Sequence, residues 1–137
     1  MIAAMNRTAL VIPLWVAAGA AIGGLARYWC SGAIAHAFGE TFPWGTLVVN
    51  VVGSTLIGFV FVVTGPDGRV LMETAHRQFI MTGIFGGFTT FSSFSLQTLT
   101  LLQDGERLYA AANVALSVGL CLLGVWLGAA LGALINR

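Results

Sequence analysis

Long uncharged stretches, separated by short charged segments, dominate the hydropathy pattern of the chain. The uncharged stretches are residues 8–26, 41–66, 78–103 and 108–136. Each reaches or exceeds the roughly 17–25 apolar residues with which a helix crosses a bilayer. Because no strand-like alternation occurs between them, the pattern predicts an all-α integral membrane protein with four transmembrane helices. The predicted spans are about 10–35, 44–63, 78–102 and 108–135, and we treat residues 1–137 as one transmembrane domain.

The first stretch also allows a different interpretation. Residues 1–21 contain one arginine, an apolar run and small residues near Ala17–Ala21, which is the layout of a secretory signal peptide. Three further spans follow downstream, and we therefore favour a first transmembrane helix that stays in the protein.

A polar segment interrupts the third stretch at Gly86–Ser95. It contains a glycine pair, five hydroxyl side chains and three phenylalanines. Irregular backbone is tolerated at membrane depth only where it is buried in protein or lines a polar cavity. The segment therefore predicts a break in the third helix and a site for something small and polar on a conduction pathway.

Polar residues recur at helical spacing along three of the predicted spans. They are Thr46, Asn50 and Ser54 in span two; Thr90, Ser93, Gln97, Thr100 and Asp104 in span three; and Asn113, Ser117 and Cys121 in span four. Residues three or four apart share one helix face. The simpler interpretation is interhelical hydrogen bonding, at about 0.6 kcal/mol per contact. Because three such stripes accompany a broken helix, we favour a lined pore.

Two further features of the spans allow both a structural and a functional interpretation. Phe88, Phe91 and Phe94 step by three and share one side if that segment is helical. They can simply pack, or they can turn the positive edges of their rings toward an anion. Arg27 can extend to the membrane interface, or it can form a positive vestibule that concentrates anions.

Composition and charge support the membrane prediction but leave the orientation open. The chain is 58% hydrophobic and 8% charged, whereas a soluble domain carries about 25% charged residues. It has six arginines and no lysine. With four spans, the termini and the loop between spans two and three share a side that carries only about two more arginines than the other. So small a bias favours cytoplasmic termini weakly and permits insertion in both directions.

Several other residues point to packing rather than chemistry. Cys30 and Cys121 lie in or beside spans, far from CxxC spacing, and we expect them to pack as small apolar residues, without a disulfide or a metal cluster. His36 and His76 have no partner at ligand spacing. Small-residue ridges predict close helix packing. These ridges are Gly19 with Gly23, and Gly124 with Gly128 and Gly132.

The motifs in spans one to three resemble those of the Fluc fluoride channels, also called the CrcB family, and the resemblance covers essentially the full length. The motif segments are Gly23–Tyr28, Pro43–Leu47, Val49–Gly53 and Gly83–Ser95. The chain departs from residues common in the family at Phe88, Ser93, Asn113 and Cys121.

The resemblance implies a passive fluoride-selective channel that exports cytoplasmic fluoride and protects the cell. It also implies an antiparallel, dual-topology homodimer in a prokaryotic inner membrane, with lipid, fluoride and a second copy as partners. A structural sodium ion is implied at the dimer centre, held by the backbone carbonyls of Gly86 and Thr89. Which anion passes is supplied by the resemblance, since the residues themselves indicate only a small anion.

The site residues combine the polar stripes with the family motif. The resemblance places Phe91 and Phe94 along the fluoride path, with Asn50 as a donor from span two. Further predicted pathway residues are Thr90, Ser92, Ser93 and Ser117. Arg27 is the predicted vestibule residue.

Two other functions remain as alternatives. A small multidrug-type cation/proton antiporter would need a carboxylate within span one, and residues 8–26 contain none. A structural membrane subunit would explain the glycine ridges but not the broken helix. The sequence has no Ser-His-Asp arrangement, paired intramembrane carboxylates, P-loop or basic patch. We therefore predict neither enzyme activity nor nucleic-acid binding.

Overall fold

The computed structural model describes the backbone of residues 2–137 and the side chains of residues 10–137. The helices run in the order α1 (Ile2–Phe38), α2 (Trp44–Val63), α3 (Thr74–Gln78), a π-helix (Phe79–Phe85), α4 (Gly86–Phe88), α5 (Phe91–Gln103) and α6 (Arg107–Asn136). Among the described residues, four helical segments are long and apolar enough to cross a membrane, the third of them made of several consecutive helices: Leu10–Phe38, Trp44–Val63, Thr74–Gln103 and Arg107–Asn136. The predicted all-helical architecture with four spans is confirmed, and the chain is a multi-pass membrane protein.

The third span begins earlier than the charge pattern predicts. Residues 74–78 form α3 and include Arg77. The Arg77 Nε donates to Thr64 Oγ1 at 3.2 Å, and the guanidinium lies 5.4 Å from the centre of the Phe61 ring. A charge at a helix end is accommodated when it has a hydrogen-bond acceptor and an aromatic face as partners.

Glycine contacts hold the spans together in two pairs, as the small-residue ridges predict. On α6, Gly124 and Gly132 sit against α2, where an added Cβ would lie 2.7 Å from Thr55 Oγ1 and 3.0 Å from the Phe59 carbonyl oxygen respectively. On α1, Gly19 faces Gly83 of the π-helix, and a Cβ on Gly19 would lie 2.9 Å from the Gly83 Cα. In lipid, close backbone packing of this kind is one of the forces that associate helices.

Two glycines with positive φ end helices and turn the chain. Gly39, with φ of 83°, follows α1, and its N–H donates to the Ala35 carbonyl at 2.8 Å. Gly105, with φ of 82°, makes the short turn from α5 into α6. Only glycine adopts this conformation without steric cost. The turn at Gly105 folds α6 back along α5. The second half of span three, which α5 forms, therefore lies beside span four.

Candidate functional site

The third span is broken at Thr89 and Thr90. Thr89 has φ −82° and ψ 157°, and Thr90 has φ −153° and ψ 115°, so both are extended between two helices. The Thr89 N–H still donates to the Phe85 carbonyl at 3.0 Å, but the Thr90 N–H leaves the helical ladder. The carbonyl of Gly86, four residues before Thr90, therefore loses its helical donor. The break lies within the predicted polar segment.

The side chain of Asn50 on α2 replaces the lost backbone partners. Its Oδ1 accepts from the Thr90 N–H at 2.7 Å, and its Nδ2 donates to the Thr90 carbonyl at 2.9 Å. Both residues are buried. Unpaired backbone groups in hydrocarbon cost several kcal/mol each, so this reciprocal pair allows an extended segment at membrane depth. Asn50 thus stabilises the extended backbone at the break through two hydrogen bonds. Only its second amide N–H remains free to donate elsewhere.

Thr90 also caps α5, the helix that follows the break. Its Oγ1 accepts from the Ser93 N–H at 3.2 Å, the arrangement of an N-cap. The Ser92 and Ser93 hydroxyls lie 3.2 and 3.1 Å from the same oxygen. Three of the predicted pathway hydroxyls therefore bond to one another at the start of α5.

A groove of about 370 Å³ runs beside the break, between α2 and α6. Seven of the predicted site residues line it: Asn50, Gly86, Thr89, Thr90, Phe91, Phe94 and Ser117. Ser54 and Cys121 also line the groove; both belong to polar stripes in the sequence but were not among the predicted site residues. No charged residue lines the groove in the described part of the chain.

The remaining predicted residues lie elsewhere. Arg27 and Ser93 line a second cavity of about 420 Å³ on another face of span three, together with Thr90. Ser92 is exposed and lines neither cavity. The Arg27 Nη1 donates to the Thr89 carbonyl at 3.2 Å, so this side chain turns inward to the break. The interpretation of Arg27 as a side chain that extends to the membrane interface is not what the structure shows.

The phenylalanine stripe is divided by the break. Phe91 and Phe94 begin α5 and pack with ring centres 5.1 Å apart and an interplanar angle of 54°. Phe94 is 8% exposed, whereas Phe91 is 75% exposed at the open side of the groove. Phe88 ends α4 and lies outside the groove, near Gly53. The three rings do not share one helix face, because the segment that joins them is extended at residues 89 and 90.

Two polar stripes combine interhelical bonding with groove lining. Asn50 lines the groove while it bonds across to span three. On span four, Ser117 lines the groove, and Asn113 is buried and donates to Thr98 Oγ1 of α5 at 2.9 Å. In the stripe on span three, Thr90 lines the groove, whereas Thr100 donates to the Leu96 carbonyl of its own helix. The choice between packing and pore lining is therefore not exclusive for spans two and four.

Comparison with known proteins connects this arrangement to one family. A family model described as CrcB-like protein, Camphor Resistance (CrcB), matches residues 14–129. A protein of Rhodospirillum rubrum named fluoride-specific ion channel FluC is 62% identical over 124 residues, which are 90% of this chain and 96% of that protein. Proteins with the same name are 58% identical in Opitutus terrae, over 84% of this chain and 87% of the relative, and 52% identical in Methylocella silvestris, over 90% and 95%. The chain belongs to the CrcB-like family of membrane proteins.

Proposed function

We propose that this protein is a passive, fluoride-selective ion channel that lets cytoplasmic fluoride leave the cell and so protects it from fluoride toxicity. The observation that carries the proposal is the groove beside the broken third span. There, an amide, hydroxyl groups, aliphatic side chains and three phenylalanines line a space without a charged residue. The names of the bacterial relatives supply the ion. The proposed location is a bacterial plasma membrane, and the proposed activity is ion conduction rather than catalysis.

The chemistry of the groove suits a small, strongly hydrated anion. Hydroxyl and amide groups donate hydrogen bonds that replace part of the hydration shell of the ion, and phenylalanine ring edges carry partial positive charge. A cation/proton antiporter would need a carboxylate to exchange protons. Among the described residues, Glu40 lies in the loop after α1 and outside the groove. A purely structural subunit would need no open groove with polar side chains beside a broken helix.

We expect proteoliposomes that contain this protein to lose fluoride rapidly after addition of a potassium ionophore and to retain chloride. The Phe91→Ile variant should lower fluoride efflux to near the level of protein-free vesicles, because it removes the exposed ring edge from the groove. An ion-selective electrode measures both anions. Phe38→Ile is the matched control, since Phe38 is exposed at the end of α1 and away from the groove. Well-folded wild-type protein without fluoride efflux would refute the channel proposal.

The proposed assembly is an antiparallel homodimer with both orientations in the membrane. In a single copy the groove is open and Phe91 is largely exposed, so a second copy would cover apolar surface there. The weak arginine bias of the sequence supports insertion in both directions. An antiparallel pair then needs only one gene product.

The proposed structural sodium ion would be held by the carbonyls of Gly86 and Thr89. The Gly86 carbonyl has lost its helical donor, and the Thr89 carbonyl keeps a lone pair beside its bond from Arg27. Uncharged carbonyl oxygens at an unwound helix are suitable ligands for Na⁺. Two carbonyls from each copy fit an ion shared across a dimer, where it would hold the two breaks together.

In sodium-containing detergent solution we expect light scattering to give the mass of two chains. In membrane vesicles, a C-terminal tag should be accessible from both faces. Replacing sodium with N-methylglucamine should shift the protein toward one chain, because the shared ion is lost. A single-chain mass in sodium would contradict the dimer, and a tag accessible from one face only would contradict dual topology. A dimer unchanged without sodium would contradict the role of the ion.

A further inference from the structure

A series of four hydrogen-bonding groups connects the groove to α5, the helix of span three that follows the break. Ser117 Oγ donates to Asn113 Oδ1 at 3.3 Å, and Asn113 Nδ2 donates to Thr98 Oγ1 at 2.9 Å. Thr98 Oγ1 in turn donates to the Phe94 carbonyl at 2.8 Å. Asn113 is 1% exposed and does not line the groove. Its bond to Thr98 is the one side-chain hydrogen bond between α5 and α6 in the part of the chain with described side chains.

The series of hydrogen bonds from Ser117 to the Phe94 carbonyl has a defined donor-to-acceptor direction. The Phe94 carbonyl can only accept, so the Thr98 hydroxyl donates to it and offers its lone pairs to Asn113. The amide of Asn113 must then turn Nδ2 toward Thr98, which leaves Oδ1 toward Ser117. Because Oδ1 can only accept, the Ser117 hydroxyl donates to it. The orientation of Ser117 is thus determined by a backbone carbonyl on another helix.

This direction affects what Ser117 offers to the groove. Its proton is engaged with Asn113, and its lone pairs remain on the groove side. Fluoride accepts hydrogen bonds and is repelled by lone pairs, so Ser117 can bind it only after its hydroxyl rotates away from Asn113. The Ser117–Asn113 bond therefore competes with the anion for one proton.

We propose that Asn113 is a positioning residue that weakens anion binding at Ser117, which keeps fluoride from being held too tightly to pass. This inference rests on the proposed fluoride conduction. Conduction requires sites that bind an ion well enough to admit it and weakly enough to release it. Asn113 acts through Ser117 and does not touch the anion.

The test is a double-mutant cycle between Asn113→Leu and Ser117→Ala, measured as fluoride current against fluoride concentration in planar bilayers. Leucine has the same number of non-hydrogen side-chain atoms as asparagine but neither donates nor accepts a hydrogen bond. We expect Asn113→Leu to lower the half-saturating fluoride concentration about fivefold, the equivalent of one net hydrogen bond, and to lower the maximal current. In the Ser117→Ala background the same substitution should leave the half-saturating concentration unchanged. An equal shift in both backgrounds, or none in either, would overturn the inference.

A second variant keeps the test open if Asn113→Leu does not fold. Thr98→Val removes the acceptor that orients the Asn113 amide, so the amide can turn Nδ2 toward Ser117 and release the Ser117 proton to the groove. We expect a shift in the same direction, again absent with Ser117→Ala, and no shift in Thr100→Val, whose hydroxyl bonds only within α5. An unchanged half-saturating concentration in Thr98→Val overturns the inference and leaves the proposed function in place. A wild-type protein without fluoride current overturns the proposed function and the inference with it.

Discussion

Replacing Asn50 with leucine should abolish fluoride efflux and markedly destabilise the protein. The substitution leaves the N–H and C=O of Thr90 buried without partners. At about 1–3 kcal/mol for each buried group left unpaired, the expected loss is about 2 to 6 kcal/mol. The break can then no longer keep its extended form at the groove. Efflux from proteoliposomes and the thermal unfolding midpoint in detergent measure the two effects.

Two further variants distinguish the specific effect of the Asn50 hydrogen bonds on efflux from the effect of a general loss of stability. Asn50→Asp keeps an acceptor for the Thr90 N–H, loses the donor to the Thr90 carbonyl and places a carboxylate beside the groove, so we expect partial destabilisation with strongly reduced anion efflux. Asn136→Leu is the matched control, because Asn136 also bridges backbone groups, the Val62 carbonyl and the Arg69 N–H, but lies outside the groove. It should lower stability and retain selective efflux. Wild-type efflux in Asn50→Leu would show that the break does not need the hydrogen bonds between Asn50 and Thr90.

Replacing Gly128 with alanine should destabilise the protein through the contact between α6 and α2. The added methyl group would overlap the Thr55 carbonyl oxygen and lie 3.0 Å from the Phe59 nitrogen, and neither backbone atom can move without a shift of α2. Overpacking of this kind costs about 1–3 kcal/mol. We also expect reduced efflux, since α2 carries Asn50 to the break. Thermal unfolding in detergent and efflux from proteoliposomes provide the measurements.

The same helix supplies the control for this substitution. Gly119 is exposed on α6, and an added Cβ would meet no atom within 4 Å. Gly119→Ala should therefore leave stability unchanged or raise it by up to about 1 kcal/mol, because alanine favours the helix. Equal destabilisation by both substitutions would mean that helix contact at Gly128 is not the cause.

The number of spans and the location of the break were predictable because both depend on local composition. Each span needs only a sufficient run of apolar residues, and residues 86–95 are unusual in that setting whatever packs against them. The glycine ridges were predictable for the same reason, since close approach requires small residues at one-turn spacing. The family motifs added the remaining expectations for individual site residues.

The sequence by itself determined four apolar spans, a polar interruption in the third and the set of donors from which a pathway can be built. Only the tertiary structure decided which donors have which partners. Asn50 and Thr90 are 40 residues apart, and their pairing exists because α2 packs beside the break. The same is true of Asn113, whose amide is oriented by Thr98 across a helix pair. Residues 89 and 90 are extended, which moves Phe88 off the face of Phe91 and Phe94, because backbone groups that leave a helix in a membrane must find partners on another one.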